Sequence, residues 1–171
     1  SFGARVALRA TALAPVGAVD RVLLLSAAEY AGPARRHATS ETGRHAQIIN
    51  VASSENALFN LVFRALIRPE ARGDRHATGA LSDLPNWTEI IIDAAADRAA
   101  AARLGFPIKP APTRVCHWST YLRGGVFPLY RALLDPARPR LVADLRAALA
   151  EARPEPRPLF PVLDPQMLRW Q

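Results

Sequence analysis

The sequence predicts an α/β fold, with a mostly parallel sheet flanked by helices, and two observations carry that reading. Three short apolar runs, DRVLLLS (20–26), AQIINVA (46–52) and TEIIID (88–93), are too brief for typical helices. Continuous apolar character over so few residues suits strands buried on both faces, as in a parallel sheet. Helix-forming segments separate and follow these runs, and the second passes through SSEN, a helix-start signal, into ALFNLVFRALI.

Taken in order, FGARVALRATALA (2–14) is built of helix formers, and Pro15 with Gly17 supplies its stop. The first strand follows, then a polar connection, AAEYAGPARRHATSETGRH, with room for one or two helical turns. The second strand is rich in β-branched residues. After it, Leu58, Phe59, Leu61, Val62, Phe63, Leu66 and Ile67 mark an amphipathic helix ended by Pro69. Residues 70–85, rich in Gly, Asp and Arg, are expected as a surface loop. The third strand leads into AAADRAAAARLG, a helix closed by Gly105, and then into PIKPAPT, a proline-stiffened connection. Beyond RVCHWSTYLR lie two further helices, FPLYRALL and RPRLVADLRAALAEA. In the tail PEPRPLFPVLDPQ five of thirteen residues are proline, which predicts an extended strap or a partly disordered end.

At 171 residues, half of them hydrophobic, the chain is sized for one ordinary domain. Its formal net charge of +7 comes from 22 Lys plus Arg against 15 Asp plus Glu. All but one of those bases are arginine, scattered without the basic run or base–aromatic alternation of a phosphate-tracking surface, so no nucleic-acid partner is expected. The single cysteine, Cys116, excludes an intramolecular disulfide and a thiol-rich metal site. Nothing calls for an oxidising compartment, and the cytoplasm is the expected location. No apolar run approaches the ~20 residues of a membrane helix. No H-x-x-x-H or clustered carboxylate spacing points to a metal.

The chain opens on SFGARVALRA, a serine and a glycine set directly before a small-residue helix and then a buried strand. This resembles the second half of the α/β-hydrolase nucleophile elbow, G-x-S-x-G, in which the serine stands on a tight strand-to-helix turn. The resemblance covers residues 1–125 and implies a partial α/β-hydrolase fold whose amino-terminal strands lie before Ser1. On that reading residues 126–153 form a helical appendage and 154–171 a proline-rich tail. An isolated S-x-G is otherwise read as a simple helix cap.

What the resemblance implies chemically is acyl transfer on a small-molecule ester or related acyl substrate, with no cofactor, by a serine esterase or lipase type of enzyme. Ser1 would be the nucleophile and the Phe2 N–H, at the positive end of the first helix, an oxyanion donor. The family runs serine, acid, histidine. Glu55, at the exit of the second strand, is the acid candidate, although it would equally serve as a favourable charge in the first turn of a helix capped by Ser53 or Ser54. Asn56 could equally occupy the acid's place, where an amide would orient a histidine without stabilising an imidazolium as a carboxylate does. Asp93 is held in reserve.

For the base, His117 in VCHWSTY stands in a partly apolar context, whereas His37, His45 and His76 lie in Arg-rich or Gly-rich connections and are expected as solvated surface residues. Cys116 adjoins His117, but neighbours on an extended segment point to opposite sides, so a buried structural thiol is expected. Ser1, Glu55 and His117 are therefore expected to converge, and the chain alone to be a poor catalyst for want of a second oxyanion donor and of central strands. The rival reading is a non-catalytic α/β binding module on a degenerate hydrolase fold.

Overall fold

The computed structural model describes residues 2–110 and 116–153. Helix α1 (Gly3–Leu13) precedes strand β1 (Arg21–Leu25), helix α2 (Ala31–Ala38), strand β2 (Gln47–Ala52), helix α3 (Ala57–Leu66) and strand β3 (Trp87–Ile91). Helices α4 (Ala95–Arg103), α5 (Ser119–Leu122), α6 (Val126–Leu134) and α7 (Leu141–Ala152) follow. The three strands form one parallel sheet in the order β1-β2-β3, with Leu23 opposite Ile49 and Ile49 opposite Thr88. The architecture is mixed α/β, a small open parallel sheet flanked by helices.

Because side chains alternate across a strand, each strand feeds two cores. Ile49, Val51, Ile90 and Ile92 point toward Val126, Leu129 and Leu133 of α6 and Val142 and Leu145 of α7. The helices expected as an appendage thus share a core with the sheet. On the other face Val22, Leu24, Ile48 and Trp87 meet Ala4 and Leu8 of α1 and Ala34 and Ala38 of α2. The central strand β2 is buried along nearly its whole length, as its apolar run requires. At the sheet edge β1 alternates buried and half-buried residues, so the expectation of burial on both faces holds for β2 and not for β1.

Two further expectations are corrected. Residues 70–85 are not a simple surface loop: Ala77, Leu81 and Leu84 are buried in the second core. The backbone of His76 bridges to Tyr30, the Ala77 N–H donates to the Glu29 carbonyl at 2.8 Å, and these bonds draw the segment inward. His76 itself is therefore buried rather than solvated. Helix α3 forms where the amphipathic pattern predicts it, but of its apolar positions only Phe63 is buried, while Leu58, Phe59, Leu61, Val62 and Leu66 are exposed.

Glycine matters most at Gly125, which has φ +93 and whose hypothetical Cβ would stand 2.1 Å from the Pro107 carbonyl oxygen. Only a residue without a side chain lets the chain turn there into α6. Among the described residues no helix is long and apolar enough to cross a membrane.

Candidate functional site

All three strands run in one direction, so their carboxyl ends lie on one edge of the sheet. The N–H of Ser26, just past β1, donates to Val51 of β2, and that of Ile92, just past β3, donates to Ala52. In open α/β sheets this edge is where loops build ligand sites. Ser26 adopts φ 49, an uncommon conformation for a residue with a side chain.

The turn after β2 is a short 3-10 segment, Ser54–Asn56, capped by Ser53, whose hydroxyl accepts from the Glu55 N–H at 3.3 Å. It passes directly into α3. Asn56 is buried at the start of that helix, and its Oδ1 lies 2.7 Å from Nδ1 of His117. The Nδ2 of the same amide donates to Oδ1 of Asn60, one helical turn on, at 3.1 Å. With its N–H side engaged by Asn60, Asn56 presents its carbonyl oxygen to the imidazole. In this arrangement Nδ1 donates to the amide oxygen, and Nε2 is the acceptor nitrogen of the neutral ring.

His117 is half-buried, and burial lowers its pKa below the ordinary histidine value. Its ring lies tilted against Phe59 of α3, centroids 4.5 Å apart, and meets Trp118 edge-on at 5.4 Å. One turn further along α3, Phe63 lies 5.9 Å from the ring of Phe2. The residue that opens α1 and the candidate base thus stand over successive turns of one helix. Phe2 is the N-cap of α1, with its carbonyl accepting from the Arg5 N–H at 3.1 Å and its own amide outside the helical ladder. Ser1, the candidate nucleophile, lies outside the described residues.

Glu55 is placed otherwise than expected. Its carboxylate turns from His117 and forms an ion pair with Arg123, both side chains being almost fully buried (4% and 1% exposed). Ser53 also donates to it, at 3.3 Å. The pairing has a simple cause: on a tight turn adjacent side chains diverge, so only one of Glu55 and Asn56 reaches the imidazole. Asp93, the reserve, accepts from the Ser54 N–H at 2.9 Å and from its hydroxyl, and so caps this turn. Of the three acid-position candidates, the structure joins Asn56 to His117.

The segment that carries His117 is tied down along its length. The Cys116 N–H donates to the Glu55 carbonyl at 3.2 Å, Thr120 shares a hydroxyl hydrogen bond with Ser26 at 2.9 Å, and the Tyr130 hydroxyl donates to the Thr120 carbonyl at 2.8 Å. Burial pushes the Tyr130 phenol far up its range, so it stays protonated and remains a donor. Cys116 is half-buried, more open than the structural thiol expected.

Of the other histidines, His45 is exposed, as expected, and His37 is half-buried. His76 is not solvated: its ring packs edge-on against Phe63 at 5.9 Å, its Nδ1 accepts from the Thr78 N–H at 3.2 Å, and burial drops its pKa to about 4. Among the described residues no group of His, Cys, Asp and Glu is arranged to hold a metal ion.

Sequence reasoning missed Asn60 and Arg123. The first had a signal, since Asn56 and Asn60 in NALFN stand four apart and share a helix face. The second had none, because Arg123 meets Glu55 from 68 positions away. The chain matches no protein-family model, no curated protein and no solved structure.

Proposed function

We propose that the chain carries the serine, histidine and orienting residue of a serine hydrolase that acts by acyl transfer on a small-molecule ester or related acyl substrate. The observation that carries the reading is the 2.7 Å hydrogen bond between His117 Nδ1 and Asn56 Oδ1 at the carboxyl edge of the sheet. It leaves Nε2 as a proton acceptor, in a loop after the third strand, where a serine hydrolase of this order needs its base.

In this mechanism the Ser1 hydroxyl attacks the substrate carbonyl while its proton passes to His117 Nε2. The resulting oxyanion is met by the Phe2 N–H at the positive end of α1. The imidazolium returns the proton to the leaving alkoxide, and an acyl-serine remains. Water then repeats the sequence: His117 takes its proton, the oxyanion re-forms, and Ser1 leaves with the proton. Asn56 fixes the ring and its tautomer through both steps but does not offset the imidazolium charge. Cytoplasmic residence fits this reading.

One observation favours the rival reading, a non-catalytic module on a degenerate hydrolase fold: the partner of His117 is an amide rather than a carboxylate. Turnover separates the two. The full-length gene product is assayed on a short-chain p-nitrophenyl ester, with an initial burst of nitrophenol equal to the enzyme concentration expected. Ser1→Ala or His117→Ala should each reduce the rate by roughly 10³-fold or more. A rate unchanged in both variants would favour the binding module.

A further inference from the structure

The Glu55–Arg123 pair is costly in form: beyond its burial, Glu55 Oε1 and Arg123 Nε have no hydrogen-bond partner among the described residues. A buried ion pair with unsatisfied atoms is a weak source of stability compared with apolar side chains of similar volume. What it supplies is geometry, because the guanidinium is a rigid planar fork. One Arg123 nitrogen donates to the Ile92 carbonyl at the end of β3, at 2.8 Å, and another to Glu55 in the turn after β2. Arg123 itself is the residue that ends α5.

Glu55 also accepts, through its backbone carbonyl, from the N–H of Cys116. The His117 segment is thus fastened to one residue at both ends, by main chain at Cys116 and by side chain at Arg123. That same residue is the immediate neighbour of Asn56. We propose that Glu55 and Arg123 are positioning residues that hold His117 in register with Asn56 and so select the Nδ1–H tautomer. This goes beyond the acid role that sequence order assigns to Glu55, and its use in catalysis rests on the reading of His117 as the base.

The test reads the ring nitrogens directly. Imidazole ¹⁵N shifts of His117 are recorded for the wild type, for the double variant Glu55→Met/Arg123→Leu, and for Glu55→Asp, each first checked for a cooperative thermal transition. The double variant removes both charges together and leaves no buried ion unpaired. Glu55→Asp keeps the charge and withdraws the carboxylate by one methylene, so it carries the test if the double variant does not fold.

The expected result is a wild type held as the Nδ1–H form, a folded double variant in which that form loses its dominance, and Glu55→Asp in between. Wild-type shifts in either folded variant, or a tautomer mixture in the wild type, would overturn the proposal. Since no turnover is involved, a clamped tautomer together with a full-length product that lacks esterase activity would refute the hydrolase reading alone.

Discussion

His117 and Asn56 are joined across the carboxyl edge of the sheet by a 2.7 Å hydrogen bond, ring nitrogen to amide oxygen, although 61 positions separate them. The bond orients the ring and its tautomer, and the partner it places at Nδ1 is a neutral amide rather than a carboxylate. Its consequences can be measured one residue at a time.

Replacing Asn56 by aspartate puts a negative charge at the same distance from Nδ1. An adjacent opposite charge favours the protonated ring, so the His117 pKa should rise from its lowered value. NMR titration of the ring checks this directly. The acid limb of the rate profile should move to higher pH with it, since the base works only when neutral. In the unaltered protein that limb should lie below the ordinary histidine range.

Asn60→Ala removes the group that sets the orientation of the Asn56 amide. A single hydrogen bond of this kind contributes about 1 kcal/mol, or roughly a fivefold change in rate. The loss should fall on kcat with KM nearly unchanged, a split that steady-state kinetics resolves.

Arg123→Ala leaves the Glu55 carboxylate buried without its cation. Breaking a buried pair in this way costs about 3–5 kcal/mol, which for a domain of this size is on the order of 10 °C in Tm. Gly125→Ala should also destabilise, by about 1–3 kcal/mol, from its positive φ and the clash with the Pro107 carbonyl. Thermal unfolding followed by circular dichroism measures both.

His76 gives the fold an acid sensitivity that is separate from the candidate site's chemistry. The unfolded chain binds a proton there near pH 6.5 and the folded chain only near 4, because burial disfavours the charged ring. Acid therefore favours unfolding: the neutral ring's contribution is complete above about 6.5 and is lost as pH falls toward 4. A shift of that size corresponds to about 3 kcal/mol. His76→Gln should flatten stability against pH across this window, as denaturant titrations at several pH values would reveal.

The strands were legible because β1, β2 and β3 are short apolar runs with clear boundaries, and the structure moves their ends by a residue or two. Residues 70–85 were not, since Ala77, Leu81 and Leu84, though spaced four and three apart, are only three apolar positions among Gly, Asp and Arg, and the segment carries them inward as a series of turns. Helix α3 misled in the opposite sense: its period is helical, but a periodic stripe does not say which way it faces, and only Phe63 turns inward.

At the site, His117 stood out by its apolar neighbours Cys116 and Trp118. The choice between Glu55 and Asn56 was beyond sequence because they are adjacent, and it rests on how a tight turn splays its side chains. Arg123 decides which way Glu55 goes, and a contact spanning 68 positions leaves no local pattern.

If the hydrolase reading holds, His117 makes the Ser1 hydroxyl nucleophilic. The most direct measurement is the mass of the full-length product after treatment with a fluorophosphonate, followed by peptide mapping of the adduct. One phosphonyl group is expected, located on Ser1 and absent when His117 is replaced by alanine. An unmodified Ser1, or labelling that persists without His117, would contradict it.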